Sequence, residues 1–343
     1  MRHLLNTLYV LTPTTYISLE NDNVVVKEDS QIKGRFPLHT LESILYFGYR
    51  GASTALLGEC AKRNINLCFF TPTGRFLAKT YGKTHGNVLL RKQQYRMSDD
   101  DKESCAIARN FVLGKIFNAR SVLERAKRDH ELAVDTTKLT QASSSLWDAL
   151  KRAKECTDLE MLRGIEGEAA RCYFEVFSEM ILQNKQDFLF HGRIKRPPTD
   201  NVNALLSFTY TLLANDCTSA LEGAGLDSYI GFLHRDRPGR ASLALDLMEE
   251  LRSIYADRFV LTLINNRIIT GKDFIVKENG AIFLDDAGRK ALLQEWQQKK
   301  KDVITHPFLQ EKVPWGLIPH IQALLLARYL RGDLDGYPTF LWK

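Results

Sequence analysis

No apolar run in this 343-residue sequence approaches the roughly 18 residues that a membrane-spanning helix requires. Its first stretch, "MRHLLNTLYVLTPTTY", lacks the apolar core and small-residue cleavage site of a secretory signal, so the cytoplasm is the expected compartment and no membrane partner is expected. The six cysteines, at 60, 68, 105, 156, 172 and 217, include no C-x-x-C pair. That excludes the common zinc-ribbon spacings and a short disulfide framework, and reduced, mostly buried thiols are expected. Internal repeats and low-complexity tracts are absent as well, which excludes a solenoid. "GKT" at Gly82–Thr84 has the end of a phosphate-binding loop without its beginning, because the earlier glycine would fall at Leu77. "RGD" at Arg331–Asp333 has no extracellular context, and "KKK" at Lys299–Lys301 suits a helix C-terminus favoured by the backbone dipole.

What is present is ordinary in bulk: 44% hydrophobic and 26% charged residues, enough for a sizeable core and two domains. A net charge of +6 is compatible with a polyanionic partner but does not select one. The first hundred residues are rich in short β-like runs, "LYVL", "YISL", "NVVVK", "INLCFF" and "RFLAKTYG", broken by turn signals and by one short helix near 54–63. After "SDDD", whose Ser and Asp suit a helix start, long helical patterns take over. The expected fold is therefore α+β: an N-terminal β-rich domain over 1–97, then a larger all-α domain over 98–343. Helices are expected over about 101–131, 139–155, 157–184, 200–222, 241–266, 285–301 and 315–331, with a small hairpin turning at Asn279-Gly280.

Two acids one glycine apart in "LEMLRGIEGEAARCYFEVF" can be separated by helical period. Glu166 shares a face with Leu159, Leu162, Ala169, Ala170, Tyr173 and Phe177, whereas Glu168 lines up with Arg171, Cys172, Glu175 and Glu179. Glu166 thus faces the core and needs a cation, hydrogen-bond donors or a proton; the simplest partner is Arg163. Further on, His234 ends an apolar run, "RDRPGR" follows as a basic turn, and Ser242 opens a helix carrying Asp246, Glu249 and Glu250. Asp246 and Glu249 are three apart on one face, while Glu250 is rotated about 100° from Glu249. Like-charged neighbours repel by up to about 4 kcal/mol at 4 Å and an effective dielectric near 20. On that ground Glu249→Gln is expected to cost the metal-free protein no stability. A divalent cation would reverse the repulsion, and one imidazole with carboxylates suits Mg2+ or Mn2+ rather than a closed zinc site. Arg235, Arg237 and Arg240, with Arg193, Lys195 and Arg196 of "HGRIKRPPTD", are candidate phosphate contacts, and Asn203 and Ser207 could offer a polar edge.

Blocks in order along nearly the whole chain, "LRGIEGEAAR", "RPPTDNVNALLSFTYTLL", "GLDSYIGFLH", "RPGRASLALDLMEELR" and "IQALLLARYLRGDLDGYPTFLWK", resemble the CRISPR-associated spacer-acquisition integrases, the Cas1 family, in its I-C subtype. The resemblance implies an N-terminal β domain that dimerises and an all-helical catalytic domain. It assigns Glu166, His234 and Glu249 as metal ligands with Asp246 adjacent among the catalytic residues, although the family often has Asp at the position of Glu249. It further implies a homodimer that joins a small partner, Cas2, acts on double-stranded and branched DNA, and inserts short fragments into a CRISPR array by 3′-hydroxyl attack on a phosphodiester. The competing readings are a non-catalytic DNA-binding adaptor whose acids form structural ion pairs, and a small-phosphoester hydrolase.

Overall fold

The computed structural model describes residues 6–63, 65–72, 76–80, 82, 88–194 and 197–342. The chain divides into two compact units: one of Met1–His85, Leu284–Asp302 and Pro314–Leu317, and one of Gly86–Phe283, Val303–Val313 and Ile318–Lys343. An N-terminal β-rich region is followed by a helical one, as the sequence leads one to expect.

In the first unit β1 (Thr7–Val10), β5 (Ser43–Phe47), β6 (Asn66–Phe70) and β7 (Phe76–Lys79) form one sheet in that order, with β1, β5 and β6 parallel and β7 antiparallel. All five residues of β5, "SILYF", are buried, the mark of an inner parallel strand covered on both faces. The parallel step from β5 to β6 needs a crossover, and α1 (Thr54–Lys62) supplies it, started by Ser53, whose hydroxyl accepts from Leu56 N at 3.2 Å. β2 (Tyr16–Glu20), β3 (Asn23–Glu28) and β4 (Gln31–Pro37) form an antiparallel meander. Its two tight turns place Asn21, Asp22, Asp29 and Ser30 at positive φ, which Asn and Asp tolerate best among non-glycine residues. Ile17, Val24, Ile44, Tyr46, Leu56 and Leu67 belong to the shared core.

The second unit is built around α3 (Asp101–Asp129), which follows α2 (Val88–Asp99) and packs on α4 (Thr136–Glu155), α5 (Leu159–Glu175) and α7 (Ser242–Leu251). Helical structure thus begins with α2, ten residues ahead of the composition change at Ser98. Aspartates start the helices: Asp100 accepts from Lys102 N and Glu103 N on α3, Asp158 from Met161 N on α5, and Asp200 from Asn203 N on α6 (Asn201–Gly223). Each such cap contributes about 1 kcal/mol. The helix expected to run to 184 stops at Glu175 and yields to a 3₁₀ turn, Phe177–Met180. The one expected over 241–266 is broken by a π-helical turn, Arg252–Asp257, before α8 (Arg258–Asn265). Gly280 makes the expected tight turn at φ 78°, closed by a Lys277 N to Ala281 O bond of 2.8 Å.

At the crossing of α3 and α7 a Cβ on Gly114 would lie 2.8 Å from Glu250 Cβ and 2.4 Å from Thr339 Cγ2. A glycine there lets the two helices approach closely, and it sets the next residue, Lys115, against the acids of α7.

Candidate active site

Glu166 is half-buried on α5, and Glu168 is exposed and paired with Arg152 at 2.9 Å. The helical period separated them for the right physical reason: Leu162, Ala169, Tyr173 and Phe177, the neighbours of Glu166, are all buried. The cation beside Glu166 is not Arg163, however. Arg163 pairs with Glu160 and donates to Leu233 O at 2.6 Å. Glu166 instead meets Lys115, whose ammonium also lies 2.7 Å from Glu249 Oε2. Arg252 Nη2 holds the other oxygen, Oε1, at 2.9 Å.

Glu249 is almost wholly buried, and burial alone would raise its pKa; Arg252 and Lys115 more than offset that and keep it well below the usual carboxylate range. Burial likewise works against the charge on Lys115, but Glu249 and Glu166 hold its pKa above the ordinary lysine value. The expected repulsion between bare acids is therefore absent, because two cations stand between and beside them. That overturns the expectation that Glu249→Gln is stability-neutral.

Asp246 has a different place from the one its spacing suggests. It is completely buried and accepts from the backbone N–H groups of Phe232 (2.6 Å), Leu233 (3.0 Å) and His234 (3.0 Å), as well as from His234 Nδ1 at 2.6 Å. A carboxylate can only accept, so in the neutral ring the proton sits on Nδ1 and the Nε2 lone pair is left free. Close approach of this loop to α7 depends on Gly231, where a Cβ would stand 2.8 Å from Ser242 Cβ and 2.9 Å from Asp246 Oδ2. His234 is near enough to Glu249 to lower its pKa.

Glu250 points elsewhere. Its carboxylate accepts from the Tyr337 hydroxyl, from Phe340 N at 2.6 Å and from Gln322 Nε2 at 3.1 Å, clamping the C-terminal segment to α7. Burial pushes its pKa up to about 7 in spite of those bonds. A carboxyl whose pKa is raised by folding contributes most below its unfolded value and loses that contribution as pH rises through the folded value. Between 4.5 and about 7, at roughly 1.4 kcal/mol per pH unit, the loss is of order 3 kcal/mol. Glu250→Gln mimics the protonated acid, since its NH2 can donate to Tyr337 Oη while its oxygen keeps the two N–H donors. The variant should match wild type near pH 4.5 and exceed it in stability at pH 8. Parallel stability–pH curves for the two proteins would contradict this.

The candidate phosphate contacts divide into two groups. Arg235 and Arg237 are exposed and Arg240 is half-buried, all on the loop between His234 and α7; Arg235 pairs with Glu160 at 2.6 Å, and Arg240 reaches Ser242 Oγ at 3.3 Å. Arg193 is fastened instead by Asn203 Oδ1 (2.6 Å) and Ser207 Oγ (3.0 Å) and lies over the Tyr210 ring. Asn203 and Ser207 thus hold Arg193 in place rather than forming a separate polar edge. Lys195 and Arg196 lie outside the described residues, as do Lys83 and Thr84 of "GKT".

Among the described residues no group of three His, Cys, Asp or Glu side chains stands ready to hold a metal ion. The side chains nonetheless suit one. Glu249 Oε2 is buried and within ion-pair distance of Lys115, yet makes no hydrogen bond of good geometry, and a cation already bridges it to Glu166.

The family model for CRISPR associated protein Cas1 matches residues 8–298. The chain belongs to the Cas1 family. A "CRISPR-associated endonuclease Cas1 1" of Chlorobaculum tepidum is 50% identical over the whole of both chains. Two solved structures share the Cas1 fold. A casposase bound to integration product has a TM-score of 0.82 at 23% identity, over 96% of this chain and 91% of that one. A Cas6-RT-Cas1–Cas2 complex has a TM-score of 0.81 at 25% identity, over 98% of this chain and 36% of that one. Among the described residues no helix is long and apolar enough to cross a membrane.

Two residues of this Cas1-family site escaped the sequence reading, Lys115 and Arg252. A lysine among Phe111, Val112, Ile116 and Ala119 on one long helix was the available signal for the first. The second sits three residues past Glu249, ordinary (i, i+3) spacing for an ion pair.

Proposed function

We propose that the chain is a divalent-metal-dependent DNA endonuclease and integrase of the I-C subtype, which inserts short fragments into a CRISPR array with Mg2+ or Mn2+ as cofactor. The observation that carries the reading is the arrangement around Glu249. In a Cas1-family chain, two acids from separate helices meet at a buried, cation-bridged point near a histidine whose tautomer is fixed by a fully buried aspartate. Glu166, Glu249 and His234 would hold the metal, and the chemistry it supplies is polarisation of a phosphodiester and activation of a 3′-hydroxyl. Asp246 orients His234, as second-sphere carboxylates do for metal-binding histidines. Arg235, Arg237 and Arg240 hold phosphates beside the site and Arg252 steadies Glu249. The direct test is nicking and joining of a branched DNA by purified protein in manganese and in chelator; product in chelator, or none in manganese, overturns the proposal.

The adaptor reading has one observation in its favour: both acids already have cations, as structural ion pairs would. It expects tight DNA binding with no nicking under any metal.

The further proposals are a cytoplasmic homodimer formed through residues 1–97, a catalytic helical domain over 98–343, and association with Cas2, which the Cas6-RT-Cas1–Cas2 structure supports by fold and by its composition. Sedimentation of the full chain with and without Cas2 tests the assembly, and a monomer that ignores Cas2 would count against it.

DNA affinity should fall steeply with salt and depend little on sequence, because Lys and Arg contacts to phosphates release counterions and read no bases. Replacing Arg235, Arg237 and Arg240 together by Gln should reduce the slope of log affinity against log salt by about two to three. An unchanged slope removes this loop from the DNA interface.

A further inference from the structure

We infer that Lys115 is a resident counter-cation of the Glu166–Glu249 pair which competes with the divalent metal. The inference rests on the proposed metal site and goes beyond it. Lys115 is only 9% exposed and its Nζ touches a carboxylate oxygen from each helix. A divalent cation on those same oxygens would stand within a few ångström of that ammonium, and two cations so close repel strongly in a site of low dielectric. One of them must leave, and the lysine is the one tethered by a flexible four-carbon stem.

Manganese affinity, read from the free-ion signal in electron paramagnetic resonance, tests the inference without using activity. Lys115→Met should bind manganese at least tenfold more tightly than wild type, while Lys115→Arg, which keeps the charge on a larger head, should bind no more tightly. Unchanged or weaker binding by Lys115→Met overturns the competition. If Lys115→Met does not fold, Lys115→Gln, which also removes the charge, should show the same tightening, and its absence overturns the inference. Glu249→Gln checks the underlying site: manganese binding as tight as wild type would mean the metal lies elsewhere, an outcome distinct from failure of the competition.

Discussion

Glu166→Ala and His234→Ala should each abolish metal-dependent cleavage and strand transfer, by a factor of about a thousand or more, while leaving DNA affinity within a few-fold of wild type. As the proposed metal ligands they would act on the reacting phosphate, whereas affinity would come from basic side chains that neither substitution replaces. Glu168→Ala is the control, because Glu168 sits on the wet face of α5 in an exposed pair with Arg152 that is worth under about 1 kcal/mol. Gel assays of nicking and joining with parallel binding titrations separate the outcomes. Equal loss in Glu168→Ala and Glu166→Ala would remove the distinction between the two faces of the helix, and weakened binding in step with activity would make Glu166 a structural residue.

How far the sequence disclosed this site depends on whether local period or long-range packing decided each residue. Period sufficed for Glu166 against Glu168, because the burial of one helix face follows from spacing alone. The helix start in "SDDD", capped by Asp100, was legible from local residue type as well. What spacing could not supply was the partner across the fold: Lys115 is 51 positions from Glu166 and 134 from Glu249, and only the packing of α3 against α5 and α7 brings them together. Glu249 and Glu250 are separated on related grounds. Both are buried, and their separation rests on what each faces, Lys115 and Arg252 for one and the C-terminal segment for the other. The π turn was invisible because a 3.6-residue period fits "SLALDLMEELRSIYADRFVLTLIN" as one continuous helix; nothing in its apolar pattern announces an inserted residue. Spacing grouped Asp246 with Glu249 on one face, yet three backbone N–H groups converge on Asp246, a feature of loop geometry that no residue type encodes.

The second large effect concerns stability, and its sign follows from the cations. Glu249→Gln should destabilise the metal-free protein by about 3–5 kcal/mol, the usual cost of removing one member of a buried ion pair and leaving the other charge uncompensated. Two buried cations are involved, for Arg252 loses its carboxylate and Lys115 keeps only Glu166. Solvent does little to help, because Glu249 is 2% exposed and Lys115 9%. The contrast with Glu250→Gln, expected to stabilise above neutral pH, is a strong internal check, since the two substitutions are chemically identical and one residue apart. Manganese adds a second axis. A ligand that binds only the folded state stabilises wild type by about 2.7 kcal/mol at a hundredfold excess over its dissociation constant, and Glu249→Gln, lacking one donor, should gain much less. Thermal and denaturant melts in chelator and in manganese read both quantities. A Glu249→Gln protein as stable as wild type in chelator would mean that Lys115 and Arg252 are not held by this acid. One that is less stable but gains as much from manganese would mean that the ion pairs are structural and that the adaptor reading should replace the integrase.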